Sequence, residues 1–218
     1  MKTVIIPDIH NNFVVAESII SKENPDEILF LGDYYDNFYD TIEEIQQVSE
    51  WLKGSLKQKN RTHLLGNHDL AYLDQRFICS GFTEEKLIII RNSKVDLTKL
   101  KLYHWIDDWL ATHAGLSYDF YEAYAGSGMT PNDLLETFCI DSELKTKLYS
   151  CSSSRGGSDK YSGIVWCDYN EFKDIPDLKQ IFGHTRGDLR QTDNHICLDT
   201  GLQYYAVFNG EMKVKRNE

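Results

Sequence analysis

The stretch EILFLGDYYD, residues 27–36, decides the fold. Its apolar run ILFL is too short for a helix and does not alternate, and it stops at Gly32, so it predicts a strand buried on both faces. Upstream, TVII (3–6) reads the same way. Between the two, NNFVVAESIISKE (11–23) offers an asparagine cap and places Phe13, Ala16, Ile19 and Ile20 at helical spacing. Downstream, DTIEEIQQVSEWLKGSLKQ (40–58) carries Ile42, Ile45, Val48, Leu52 and Leu56 on one stripe, with Asp40 or Thr41 as cap, and predicts a long amphipathic helix. RTHLL (61–65) follows as a third strand. This βαβαβ alternation predicts parallel strands covered by helices.

The second half changes character. KLIII (86–90), KLKLYHWI (99–106) and WLATH (109–113) read as strands with few helical intervals. The end reads as a strand, HICLD (195–199), followed by YYAVF and EMKVK as a hairpin across Asn209-Gly210. These elements predict a second, more antiparallel sheet. Between the halves, about 115–176, lie a helix at PNDLLETFCI (131–140) and the loop SCSSSRGGSDKYSG (150–163), which reads either as a mobile substrate-facing segment or as a plain surface loop. The expectation is one domain over residues 1–218, with 115–176 as a helical and loop insertion.

Composition narrows the function. The chain has 218 residues, 41% of them hydrophobic, enough for one well-filled core. Its formal charge of -11 argues against non-specific nucleic-acid binding and against an anionic membrane surface. An anionic substrate would need local positive charge, which bound divalent cations could supply. No segment has the length of a membrane span, and MKTVIIPDIHNN turns polar too soon for a secretory signal, so the expected location is cytoplasmic. The five cysteines are scattered without a CxxC pair and read as reduced thiols, mostly buried.

Residues of metal-ligand type recur at strand ends. Asp8 and His10 follow TVIIP, Asp33 follows ILFLG, Asn67 and His68 follow THLLG, His113 ends WLATH, and His184 follows KQIFG. Any one cluster is ordinary turn chemistry or a satisfied histidine. In series they predict a shared site, because side chains leaving the carboxyl ends of strands converge on one sheet edge. Asp, Asn and His without thiolate suit manganese, iron or zinc, and the set is too large for one ion. Two ions could clamp both oxygens of a phosphoryl displacement.

The ordered set DIH, GDYYD, GNHD, THAG, GHT resembles the calcineurin-like metallophosphoesterases, and THAG with GHT resembles the phosphoprotein phosphatase branch in its phage and bacterial members. The motifs span residues 8 to 187. The resemblance implies an α/β fold, a two-sheet β-sandwich flanked by helices in four layers. It further implies that Asp8, His10 and Asp33 hold a first metal, that Asp33, Asn67, His113 and His184 hold a second, and that Asp33 bridges them. His68 would serve the leaving oxygen as a catalytic acid, oriented by Asp36, and a metal-bridging hydroxide would be the nucleophile. Asp69, beside His68, reads first as a solvated turn carboxylate and otherwise as a support of the metal-holding residues. LDTG (198–201) resembles bacterial members and reads equally as a strand ending in a turn.

One departure stands out. The family's Arg-Gly after the second aspartate is Asn37-Phe38 here, so one phosphate clamp is missing. Arg155 and Arg186 are the replacement candidates for substrate binding, each weighed against a surface arginine. His63, His104 and His195 fit no motif and are expected to pack on or beside the sheets. Tyr34 and Tyr35 either flank the site or belong to the core.

The expected activity is that of a metal-dependent phosphoric ester hydrolase with two divalent ions, manganese first and iron or zinc next. A phosphomonoesterase of protein-phosphatase type comes first, acting on a phosphoprotein, nucleotide or small phosphoester. The alternatives are a nucleotide or dinucleoside polyphosphate hydrolase, a phosphodiesterase, and a metal-binding interaction module without turnover.

Overall fold

A computed structural model describes residues 1–37 and 39–218; Phe38, half of the Asn37-Phe38 departure, lies outside the described residues. The chain begins with β1 (Thr3–Ile6), α1 (Phe13–Glu23), β2 (Glu27–Phe30), α2 (Ile42–Ser55) and β3 (Arg61–His63). Helices α3 (Asn67–Leu73) and α4 (Glu84–Ser93) follow, then strands β4 (Tyr103–Ile106) and β5 (Trp109–Thr112). Three more helices, α5 (Tyr118–Tyr124), α6 (Pro131–Ile140) and α7 (Ser142–Lys147), precede β6 (Lys179–Phe182) and β7 (Arg190–Gln191). The chain ends with β8 (His195–Cys197), β9 (Tyr204–Phe208) and β10 (Met212–Arg216).

Two five-stranded sheets result, ordered β10-β9-β1-β2-β3 and β4-β5-β6-β8-β7. β1, β2 and β3 pair in parallel, as the alternation of strands and helices predicts. Successive residues of β1 face opposite layers. Ile5 joins Leu29, Ala206, Ala111, Ile181 and Ile196 in an apolar layer shared by strands of both sheets. Val4 and Ile6 belong to the cluster that holds Ala16, Ile19, Ile45, Val48 and Leu52 of the helices. A period of two thus gives each strand both a sandwich face and a helix face, and makes the four-layer arrangement.

Two parts of the second half differ from expectation. KLIII lies in α4, because Thr83 caps the helix by accepting from the Lys86 amide and Glu84 and Glu85 fill its first turn. With Leu87 and Ile90 buried three residues apart, capping and helical spacing override the β-branched run. The terminal hairpin β9-β10 forms, but it joins the first sheet, β9 pairing antiparallel to β1. The second sheet is accordingly mixed: β4-β5 and β7-β8 are antiparallel, whereas β5-β6 and β6-β8 are parallel.

Other expectations resolve simply. Thr41, not Asp40, caps α2, in a capping box with Glu44. All five cysteines are free; Cys167 and Cys197 are buried and the other three half-buried. Among the described residues no helix is long and apolar enough to cross a membrane. The 150–163 loop is tied down through Glu171, whose carboxylate accepts from the hydroxyls of Ser152, Ser154 and Ser162.

Candidate active site

The turns after β1, β2, β3, β5 and β6 meet at one edge of the sandwich. Several of their polar residues occupy the left-handed region without being glycine: His10 (φ 41°), Asp33 (φ 50°), Asp36 (φ 65°) and His184 (φ 67°). Such backbone persists only where its surroundings over-determine it, and it clusters at functional sites. Gly66 permits the close approach; a Cβ there would lie 2.5 Å from the Asp33 amide nitrogen.

Six side chains converge at this edge. Asp33 Oδ2 lies 3.8 Å from His10 Nε2 and 3.4 Å from His113 Nε2. Asn67 Oδ1 is 3.0 Å from His113 Nε2 and 2.8 Å from His184 Nδ1, and the two ring nitrogens are 3.2 Å apart. Asp8 accepts the His184 amide through Oδ1 at 2.9 Å. Its Oδ2 is buried and has no hydrogen-bond partner among the described residues.

These atoms suit cations better than they suit each other. His113 Nδ1 stands 2.9 Å from the Leu31 carbonyl and His10 Nδ1 2.9 Å from the Tyr35 carbonyl. Each of those nitrogens must therefore donate to its carbonyl, which leaves Nε2 as the ring nitrogen turned toward Asn67 or Asp33 oxygen and available to a cation. Two overlapping groups can each enclose a metal ion, Asp8 with His10 and Asp33, and Asp33 with His113 and His184. Asp33 is common to both. Oxygen and imidazole donors without thiolate fit divalent ions of manganese, iron or zinc character.

The charges are strongly coupled. Burial works to raise the Asp33 carboxyl, but His113, His68 and His10 hold it far below the usual carboxylate range. Burial, reinforced by Asp199 nearby, pushes Asp8 well up. Burial opposes charge on His113, and Asp33 pulls it up to about 9. Burial and the proximity of His113 push His184 well down.

Beside this cluster, His68 Nδ1 lies 3.1 Å from Asp36 Oδ2. The other oxygen of Asp36 accepts from Tyr72 at 2.6 Å and from Lys86 Nζ at 2.9 Å. Burial opposes the imidazolium, but Asp33 and the bond to Asp36 raise His68 to about 11. Asp69 is no solvated turn residue: it is fully buried, and its carboxylate accepts the amides of Asp33, Tyr34 and Gly66 at 2.8–3.0 Å. Burial and the Asp33 charge push it up to about 7.

A cavity of about 350 Å³ opens over the cluster, walled by His10, Asp33, Asp36, Asn67, His68 and His184. Arg155 and Arg186 both reach its wall, as do Asn37, Ser80, Trp166 and Asp199. Asp8 and His113 sit behind the wall, buried to 2% and 0% exposure. Arg155 is aimed by Asp168, 2.6 Å from its Nε, and donates to Thr185 Oγ1 at 3.1 Å. Tyr34 and Tyr35 are core, bonded to His63 and Ser49. His63 and His195 are buried away from the cavity, and His104 is half-buried on β4. Lys86, Tyr72, Asp168, Trp166 and Asp199 escape sequence reasoning; only Asp199 has a visible signal, the LDTG turn.

The calcineurin-like phosphoesterase family model matches residues 1–200. The chain is similar in structure to the cold-active protein-tyrosine phosphatase of a psychrophilic Shewanella species, with TM-score 0.63 and 15% identity over 99% of this chain and 78% of that one. It is also similar to a putative diadenosine tetraphosphatase, with TM-score 0.53 and 18% identity over 99% and 93%. At such identities these likenesses show the fold alone. No curated protein matches.

Proposed function

The chain belongs to the calcineurin-like phosphoesterases, metal-dependent hydrolases of phosphoric esters, and from that premise we propose that it is a dinuclear phosphomonoesterase of protein-phosphatase type. The observation that carries the reading is the sharing of Asp33 between two candidate ligand groups beneath one cavity. Asp8, His10 and Asp33 would hold one ion, and Asp33, Asn67, His113 and His184 the other, with manganese the first choice and iron or zinc next. Bound there, the ions would put positive charge on the phosphoryl oxygens and make a water acidic enough to attack near neutral pH.

The chain's own residues do the rest. Arg155 and Arg186 take the non-bridging oxygens in place of the arginine that Asn37 displaces, and a planar guanidinium suits that geometry. His68 gives its Nε2 proton to the leaving oxygen. Asp36 holds Nδ1, which fixes the ring and favours the charged form, while cations beside Asp33 would cancel part of that carboxylate's pull and bring His68 closer to neutral titration. We read the chain as one cytoplasmic domain in which residues 115–176 form an insertion that carries Arg155 to the cavity.

A second reading is a nucleotide or dinucleoside polyphosphate hydrolase. Asn37 on the wall lacks the charge of the family's clamp, and half-buried Trp166 offers the cavity an aromatic face. Hydrolysis of aryl phosphate monoesters, diesters and dinucleoside polyphosphates with added manganese, against chelated protein, separates these readings. Monoester turnover that chelation abolishes is expected; preference for the polyphosphate supports the second reading. No turnover with any metal would leave a binding module.

A further inference from the structure

Cys79 is a half-buried thiol in the turn after α3, and its sulfur touches His68 of the acid pair and the Asn67 carbonyl. Sγ lies 3.7 Å from His68 Nδ1, which itself lies 3.1 Å from Asp36 Oδ2. The three donor atoms all fall within 4.8 Å of one another. A tetrahedral ion with nitrogen and oxygen near 2.0–2.2 Å and sulfur near 2.3 Å separates such donors by roughly 3.3–3.6 Å. The Nδ1–Oδ2 and Sγ–Nδ1 spacings lie on either side of that range.

The turn is built to stay there. Gly81 has φ +88°, and a Cβ at this position would meet Asp36 Cβ at 2.8 Å. Lys86 Nζ binds the Gly81 carbonyl at 2.8 Å and Asp36 Oδ1 at 2.9 Å, so one ammonium pins both sides of the cluster and leaves Asp36 Oδ2 to His68.

We propose that Cys79, His68 and Asp36 form a third cation site, selective for thiolate-seeking divalent ions such as zinc or cadmium, whose occupancy shuts off the acid role of His68. Binding forms bonds from the ion to Sγ, Nδ1 and Oδ2 and releases the Sγ and Nδ1 protons to solvent. Coordination through Nδ1 takes the ring from the Asp36 oxygen that otherwise orients it, so the leaving oxygen loses a positioned donor. The thiolate separates this site from the Asp, Asn and His cluster, which has none. Only the inhibition rests on the proposed function; the site itself does not.

The test is a titration of the manganese-loaded protein with cadmium, following thiolate-to-cadmium charge-transfer absorption, manganese released, and turnover. One equivalent of the absorption should appear while manganese stays bound, with turnover falling in step. Cys79→Ser and Cys79→Ala should each lose the absorption and at least tenfold of the cadmium sensitivity, measured against that variant's own cadmium-free rate. Cys151→Ser should change neither. Absorption that survives both Cys79 variants, or manganese release in step with the absorption, overturns the site. A protein that gains the absorption but never hydrolyses a phosphoester overturns the functional reading and leaves the site standing.

Discussion

Asp69 holds Asp33 in place from behind: its Oδ2 accepts the Asp33 amide at 2.8 Å and the Gly66 amide at 3.0 Å, while Oδ1 accepts the Tyr34 amide at 2.8 Å. One buried carboxylate thereby fixes both the turn that carries Asp33 and the start of the helix that carries Asn67 and His68. Asp69→Asn turns one of those oxygens into an NH2 facing amide hydrogens. The variant should lose about 1–3 kcal/mol in denaturant unfolding, the cost of leaving a buried donor unpaired. It should also bind manganese more weakly. Parent-like affinity for two manganese ions would show that Asp33 does not depend on this support.

His68→Asn keeps the hydrogen-bonding size near Asp36 and removes the proton donor. Manganese content should stay at the parent's value while kcat falls by roughly 10²–10⁴, the usual worth of a positioned acid. A variant as active as the parent would end the acid assignment.

Lys86 reaches the same proton indirectly. Its ammonium binds Asp36 at 2.9 Å and Asp40 at 2.8 Å, and Asp36 in turn holds His68. Lys86→Met should cost about tenfold in kcat, as for other outer supports of a catalytic group. The loss should be steepest for aryl phosphates with poor leaving groups and should fade for nitrophenolates, which leave without a proton. A uniform loss across leaving groups would indicate a structural role only.

The two kinds of residue differ in how far their meaning travels along the chain. Asp8, Asp33, Asn67, His113 and His184 each stand where an apolar run ends, so local pattern alone brings them to one sheet edge. Asp69 and Lys86 take their meaning largely from partners 36 and 50 residues away, and the one local signal is the Gly66 amide that Asp69 accepts three residues before it. The setting of Lys86 hides it further, since the KLIII run mimics a strand while the decisive cap, Thr83, lies three residues before it. The hairpin β9-β10 is legible from Asn209-Gly210, but its choice of sheet is made by the register of β9 against β1, a contact across nearly the whole chain.

Arg155 should govern substrate affinity more than turnover. Asp168 aims its guanidinium, so the arginine is pre-set before substrate arrives. Arg155→Gln should raise KM by roughly 10-fold or more with a smaller change in kcat, consistent with about 1.5–3 kcal/mol for a charged hydrogen bond. Arg155→Lys should rescue little, because an ammonium cannot span both Asp168 and an anion as a planar fork does. An unchanged KM in both variants would return Arg155 to the status of a loop arginine.

Far from the cavity, Glu23 gives the fold an acid-sensitive contribution to stability. Its carboxylate is bonded by Lys2 at 2.8 Å, by Lys215 at 2.8 and 2.9 Å, and by Tyr205 at 2.7 Å. Burial works against its charge, but these partners hold the carboxyl down to about 2. The folded state therefore binds this proton less readily than the unfolded chain, where glutamate titrates near 4.5. The stabilisation is fully present above that value and disappears as pH falls toward 2. Because Lys2 and Lys215 are partly exposed, it amounts to roughly 1–2 kcal/mol rather than the full shift. Glu23→Gln should lower unfolding free energy by that amount at pH 7, and the gap to the parent should close between pH 4.5 and 2. A gap that persists unchanged at pH 2 would mean that packing, not the charge, gives Glu23 its value.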